Sequence, residues 1–173
     1  NLKIKENYIN GNQTGLCHAY NNRGQLTSIS HYTNDELNGV YEIYDSGILN
    51  EVSHYSNGKQ NGPYMSYYAD GTLKTEGFLE DGDVNHFKST YRQSGKLSQI
   101  SKFVDGEIVF TESYDSTGKK EFEFDYKNKS GKFNLSLNNG ATSQDFEMIN
   151  GNYNGKYSSK DKLGNKITES QYV

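Results

Sequence analysis

Apolar and polar residues alternate in short runs along most of the chain, and glycine-bearing clusters break the runs at regular places. The segment Gly62-Pro-Tyr-Met-Ser-Tyr-Tyr68 reads as a short aromatic strand and Ala69-Asp70-Gly71 as a turn. Thr72 to Phe78 is the return strand, in which residues 73, 75 and 77 share a face by the two-residue period. A second turn, Glu80-Asp81-Gly82, follows, and Ile9-Asn10-Gly11, Ser56-Asn57-Gly58, Val104-Asp105-Gly106 and Ile149-Asn150-Gly151 correspond to it. Asn-Gly and Asp-Gly between strand-like runs signal hairpins, because these residues accept the positive φ of a type I′ turn. No segment sustains a helical period, and the glycines leave no room for a helix of the usual 10–12 residues.

The glycines Gly24, Gly47, Gly71, Gly95, Gly118, Gly140 and Gly164 lie 23, 24, 24, 23, 22 and 24 residues apart. An independent class keeps the same period about eight residues later: Tyr32, Tyr55, Phe78, Phe103, Tyr126, Met148 or Ile149, and Tyr172, with Tyr8 opening the series. Leu26, Leu49, Leu73 and Leu97 stand two residues after the glycine, and the small residues Ser30, Ser53, Gly77 and Ser101 stand six after it. These small residues leave space for neighbouring rings to lie across them. Internal periods of this length mark repeat architectures. The expectation is an all-β fold: an elongated single-layer antiparallel meander of about seven tandem hairpin repeats and about fourteen strands. Residues 1–173 form one array, regular over 8–118 and degenerate over 119–173, where Phe122, Phe124, Phe133 and Phe146 replace the earlier pattern. Leu2 to Glu6 reads as a preceding return strand.

Composition supports much sheet and little dry interior. Apolar residues make up 32% of the chain and aromatics 13%, with 15 Tyr and 8 Phe. Tyr suits a pleated surface wetted on at least one face. The net charge of −4 is spread along the chain and leaves no basic footprint for nucleic acid. Cys17 stands alone, so no intrachain disulfide forms. No stretch approaches the ~18 apolar residues of a membrane span. The chain opens on Asn1 rather than Met, which keeps a removed leader open.

Tyr55 to Leu73 runs Tyr-Ser-Asn-Gly-Lys-Gln-Asn-Gly-Pro-Tyr-Met-Ser-Tyr-Tyr-Ala-Asp-Gly-Thr-Leu. This resembles the MORN-repeat variant family, whose bacterial members are often labelled YwqK-type antitoxins. The resemblance covers the whole chain, strongly over residues 8–118 and loosely after that. It implies a twisted sheet of stacked hairpins and interaction roles: protein partners, lipid surfaces in some eukaryotic members, and toxin neutralisation in the antitoxin-labelled branch. The family motif defines no catalytic residue, so the resemblance implies no enzyme activity and no cofactor.

The residues that carry chemistry elsewhere read as structural. His31 and His54 occupy equivalent positions in successive units, two strands and roughly 9–10 Å apart, too far for donors that must each stand ~2.0–2.1 Å from one metal ion. Neighbouring Cys17 and His18 point to opposite faces of a strand, which excludes a direct thiol–imidazole pair. Glu80, Asp81 and Asp83 read as a solvated turn. Glu121 and Glu123 share a face and alternate with Phe122 and Phe124, as on a half-buried strand. Gly58 and Gly62 precede no helix, so they read as turn residues rather than as a phosphate cradle.

What is left is surface. Tyr is enriched at protein interfaces, and Tyr41, Tyr44, Tyr64, Tyr67, Tyr68 and Tyr91 form the candidate binding strip of the middle units. The expected function is a non-enzymatic interaction scaffold with a protein partner, a toxin in the antitoxin-like case. A structural or cell-surface-associated protein contacting lipid or glycan is the other reading that stays open. Uncapped edge strands would allow an end-to-end homodimer. No catalytic residue, metal site or cofactor is expected, and the expected setting is a bacterial cytoplasm or cell envelope.

Overall fold

The computed structural model describes residues 3–136, 142–161 and 163–173, and all regular structure among them is β-strand. The chain divides into two compact units, Asn1–Gly95 and Lys96–Val173. The first holds β1 (Ile4–Lys5), β2 (Tyr8–Ile9), β3 (Asn12–Gln13), β4 (Gly15–Tyr20), β5 (Leu26–Thr33), β6 (Glu36–Asp45), β7 (Ile48–Ser56), β8 (Lys59–Gln60), β9 (Gly62–Tyr67), β10 (Leu73–Glu80) and β11 (Asp83–Tyr91). The second holds β12 (Leu97–Val104), β13 (Glu107–Tyr114), β14 (Lys120–Asp125), β15 (Ser130–Ser136), β16 (Thr142–Ile149), β17 (Asn152–Asp161) and β18 (Lys166–Tyr172). Within each unit the strands pair antiparallel and strand order follows chain order. The exceptions are the β2–β3 ribbon, which stands outside the main sheet, and β8, which pairs β7 alongside β9. The meander expected from the glycine spacing is present in both units. Ile4–Lys5 pairs with β4 as a preceding return strand. The described residues hold eighteen strands rather than about fourteen, because short pieces such as β8 are cut off by bulges.

Two kinds of turn alternate. Asn10-Gly11, Asn57-Gly58, Asp81-Gly82, Asp105-Gly106 and Asn150-Gly151 each place two consecutive residues at positive φ, as a type I′ turn requires. Asn34-Asp35 does the same at φ 50° and 69° without any glycine. The sequence hid this corner because Asn and Asp also tolerate the left-handed region. The other corners are wider. Gly71 N–H donates to Tyr68 O at 2.9 Å, Tyr68 N–H to Thr72 O at 2.8 Å, and Asp70 Oδ1 accepts from Thr72 N–H at 2.9 Å. This is a type I turn closed by a left-handed glycine, and Gly24, Gly118 and Gly164 close equivalent turns. Two of them bring the same pair together: Tyr20 faces Leu26 and Tyr67 faces Leu73, whereas Tyr114 faces Lys120 and Lys160 faces Lys166 across the turns at Gly118 and Gly164. Tyr44 faces Leu49 across the shorter Ser46-Gly47 turn. Gly140, expected to turn the sixth unit, lies outside the described residues.

The I′ turns also stack. Asp35 N–H donates to Gln13 O at 3.0 Å, Gly58 N–H to Leu37 O at 2.9 Å, Gly82 N–H to Gln60 O at 2.8 Å, and Gly151 N–H to Lys129 O at 2.8 Å. Each corner is thereby fastened to the one before it, which is how a repeat array gains stability from nearest neighbours.

One expectation is corrected here. Gly62 is not a turn residue: it sits in β9 at φ 124°, where the strand bulges. Gly39 holds the same place in β6 at φ 121°. There His31 alone of β5 faces Asn38, Gly39 and Val40, between the Ser30–Tyr41 and Tyr32–Leu37 pairs. A Cβ at Gly39 would stand 3.2 Å from His31 Cβ, and one at Gly62 would stand 3.1 Å from His54 Cβ. The bulge therefore lets an imidazole lie over bare backbone. His31 Nδ1 then bonds Asn38 O at 2.8 Å and His54 Nδ1 bonds Pro63 O at 2.9 Å.

Little is fully enclosed. Leu79 is the buried hydrophobic residue among the described residues, and the other enclosed side chains are small: Ser30, Ser53, Ser89, Ser101, Thr111 and Ser159. The leucine ladder and the rings of Tyr32, Tyr55, Phe78 and Phe103 are half-buried, whereas Tyr8, Tyr126 and Tyr172 of the same series are exposed. These sheets are organised around small residues with rings laid across them, not around an oily core.

Candidate functional site

The six tyrosines of the expected strip separate by strand parity. Tyr41 pairs with Ser30 on one side and Ser53 on the other, so its ring lies between two buried serines. It meets Tyr55 edge to face, with centroids 5.8 Å apart. Tyr64 pairs with Gly77. A Cβ at Gly77 would come within 2.5 Å of the Tyr64 ring, so this ring occupies the space that the missing side chain leaves. Burial, with Glu51 nearby, pushes the Tyr64 phenol above its ordinary value. Tyr41 and Tyr64 thus lie on the serine-lined face, over small residues of the neighbouring strands.

Tyr44, Tyr67 and Tyr91 belong to the other face. The Tyr44 hydroxyl donates to Glu42 Oε2 at 2.6 Å, the Tyr67 hydroxyl points to Met65 Sδ at 3.5 Å, and the Tyr91 hydroxyl donates to Glu76 Oε1 at 2.6 Å. Their acceptors lie along one registered path, in which Glu42 faces Val52, Val52 faces Met65 and Met65 faces Glu76. The bond to a carboxylate is the main cause that raises the phenols of Tyr44 and Tyr91. In the second unit Tyr114 bonds Glu112 in the same way. Tyr68 sits at a corner, where its hydroxyl donates to Tyr91 O at 2.8 Å and Lys74 Nζ stands 5.8 Å from its ring centroid. The tyrosines therefore do not form one strip. The structure brings Tyr44, Tyr67 and Tyr91 onto one face and sends Tyr41 and Tyr64 to the other.

The face that carries Tyr44 also carries a groove of about 500 Å³ lined by Leu16, Ile29, His31, Asn38, Gly39, Val40 and Glu42. Its walls include apolar residues left open, with Leu16 48% and Val40 40% exposed. Tyr44 braces the groove through its bond to Glu42. Sequence reading missed the groove because its opening comes from the Gly39 bulge, and a glycine inside a strand-like run looks like a turn. The signal was present, since an isolated glycine in a strand pattern also marks a bulge.

The degenerate part of the second unit, residues 119–173, presents a different surface. Phe122 faces Phe133, and Phe133 faces Phe146. Their rings stack at centroid separations of 5.6 Å and 4.5 Å with planes 9° apart. Tyr153 joins edge-on to Phe146 and to Tyr157, and Tyr172 stacks on Tyr153 at 5.2 Å. The replacement of small residues by phenylalanine, visible in the sequence as drift, is a continuous aromatic ladder in space.

Cys17 is half-buried and free. Among the described residues no group of three or more His, Cys, Asp and Glu is placed to hold a metal ion.

No protein-family model matches the chain, and no curated protein matches it. Solved structures resemble it in part. A structure of TarM aligns at TM-score 0.39 and 10% identity over 61% of this chain and 20% of that one. A mutant of S. aureus TarM in complex with fondaparinux, alpha-GlcNAc-glycerol and UDP aligns at 0.40 and 11% over 73% and 22%. Accessory secretory protein 1, 2 and 3 of Streptococcus pneumoniae aligns at 0.36 and 21% over 55% and 19%. The chain spans about a fifth of the length of each of these proteins, and TM-scores of this size assign neither a fold family nor an activity to it.

Proposed function

We propose that the chain is a non-enzymatic interaction scaffold of the MORN-variant type. On this reading it binds a protein partner, a toxin if the antitoxin-like branch is the right comparison. One observation carries the reading. Large apolar and aromatic side chains are left half-open on the sheet faces, while Leu79 is the buried hydrophobic residue among those described. Apolar residues left open together, as Leu16 and Val40 are around the groove, are the kind of surface at which proteins associate. In the first unit the face with Tyr44, Tyr67, Tyr91 and the Leu16–Val40 groove supplies rigid aromatic anchors beside a recess, the arrangement in which binding energy concentrates.

The test is affinity capture from the source organism, with the intact chain as bait and the captured protein then purified and titrated. The double variant Tyr44→Ser and Tyr67→Ser loses the partner while its far-ultraviolet circular dichroism stays unchanged. Tyr41→Ser, on the serine-lined face, keeps it. Full partner affinity in the folded double variant would refute the assignment to this face.

A further inference from the structure

The dipeptide that builds the corners is also chemically reactive. In Asn-Gly the glycine nitrogen can attack the preceding side-chain amide, because glycine has no Cβ to obstruct the approach. The nitrogen gives up its proton and bonds Asn Cγ, the Cγ–Nδ2 bond breaks, and ammonia leaves with that proton. Water then opens the cyclic imide at either carbonyl and leaves aspartate or isoaspartate. Ring closure requires the peptide between the two residues to rotate out of the type I′ geometry, so the corner must open first.

Exposure does not choose among the corners, since Asn10, Asn57 and Asn150 are all exposed, as are the glycines that follow them. Fastening does. Gly58 N–H donates to Leu37 O at 2.9 Å and Gly151 N–H to Lys129 O at 2.8 Å, so in both places the attacking nitrogen is held by the neighbouring corner. Gly11 N–H has no acceptor among the described residues. The strands behind the corners differ in the same sense. β7 and β16, which lead into Asn57 and Asn150, are paired on both sides. Asn10 tips the β2–β3 ribbon, which stands outside the main sheet and joins two residues to two. Its ties, Thr14 N–H to Asn7 O at 2.9 Å and Asp35 N–H to Gln13 O at 3.0 Å, lie at the base and leave the tip free. A lone two-stranded ribbon is marginally stable in water. The Asn-Gly pairs away from these corners are held in the sheet, where Gly39 faces Tyr55, Gly62 faces Leu79 and Gly155 faces Tyr172. Asn139-Gly140 lies outside the described residues.

We propose that Asn10 is a self-modification site, the asparagine among the described residues that deamidates first in the folded chain. Its two products differ in what they do to the corner. Aspartate is accommodated, since Asp81 and Asp105 hold the same place at φ 52° and 51°. Isoaspartate adds a carbon to the backbone of a two-residue loop whose length sets the register, so it undoes the Tyr8–Gln13 and Ile9–Asn12 pairs.

Peptide mapping by mass spectrometry, on the intact chain held at physiological temperature and mildly alkaline pH, tests this. Giving up one corner hydrogen bond lowers the open population roughly two- to tenfold, and unpairing a strand held on both sides lowers it further. Asn10 is therefore expected to convert at least about tenfold faster than Asn57 and Asn150. In denaturing urea the corners are gone and the three are expected to convert at similar rates. Asn10→Gln is expected to abolish the early product in its peptide and to leave the rates at Asn57 and Asn150 unchanged. Asn57 or Asn150 converting as fast as Asn10 in the folded chain overturns the proposal. So does an Asn10 that stays intact in the fold while it converts in urea, and so does an early product that survives Asn10→Gln, since the acid would then sit at another asparagine of that peptide. None of these results depends on whether the Tyr44 face binds a protein.

Discussion

Gly77→Ala puts the principle of ring over small residue to a direct test. Gly77 has an ordinary backbone conformation, so left-handed strain plays no part in its choice. What excludes a side chain is contact: an added Cβ would lie 2.5 Å from Tyr64 Cε1, 3.0 Å from Tyr64 Cζ and 2.9 Å from Phe87 O. The ring can swing away, but only by leaving the place where it is packed, and the carbonyl belongs to a paired strand. Overpacking of this kind costs about 1–3 kcal/mol. Reduced freedom of the unfolded chain returns about 0.4–1 kcal/mol. Taken at the midpoints of these ranges the net destabilisation is about 1.3 kcal/mol, or a fall in Tm of about 3–5 °C for a chain of this size. Urea unfolding followed by circular dichroism measures it. The companion experiment is the double-mutant cycle with Tyr64→Ala. Once the ring is gone only the Phe87 carbonyl opposes the new methyl, so Gly77→Ala should cost less, with a coupling of about 1 kcal/mol. A Gly77→Ala variant as stable as the wild type, or one equally costly in both backgrounds, would refute the reasoning.

Further outcomes follow from other sites. Gly62→Ala combines positive φ with a 3.1 Å contact to His54 Cβ. It should destabilise by about 1–3 kcal/mol in urea titration, more than Gly58→Ala, whose new Cβ meets open space. His86 is left-handed at φ 64° in the phase that glycine fills at Gly39 and Gly62. His86→Gly and His86→Ala both lose the ring contact with Phe78, but only glycine relieves the backbone, so the glycine variant should be the more stable by about 1 kcal/mol. Glu169, bonded to Lys156 and Lys166, is held at about 2 against an ordinary 4.5. A lowered carboxylate contributes stability above its unfolded value and loses it as pH falls through the folded one. The Tm gap between wild type and Glu169→Gln should therefore be constant above pH 4.5 and close toward pH 2, whereas a gap independent of pH would contradict the ion-pair assignment.

The fold was legible because its corners are chemically marked. Asn57-Gly58 and its equivalents announce positive φ, and the small positions Ser30, Ser53 and Ser101 keep the phase of the period and are buried. Asn34-Asp35 was illegible as a corner because a glycine was sought, although its place midway between Gly11 and Gly58 held the clue. The site was less legible. Spacing alone grouped Tyr41 with Tyr44 and Tyr64 with Tyr67, yet each pair is separated by an odd number of positions, so parity already sends the members to opposite faces unless a bulge intervenes. The bulges at Gly39 and Gly62, which seat the histidines and, at Gly39, open the groove, depend on cross-strand register, and register is a property of two strands rather than of one run of sequence. The second unit's drift into phenylalanine looked like decay until pairing placed Phe122, Phe133 and Phe146 side by side.

The central claim is that these sheets keep their faces open, leaving apolar surface for partners instead of sealing it inside. The heat capacity change of unfolding measures sealed apolar surface most directly, because exposing it raises ΔCp. Differential scanning calorimetry at low micromolar concentration should give a ΔCp clearly below the roughly 12–15 cal/mol/K per residue of ordinary globular proteins. A value within or above that range would mean that the faces are covered, and would contradict the account.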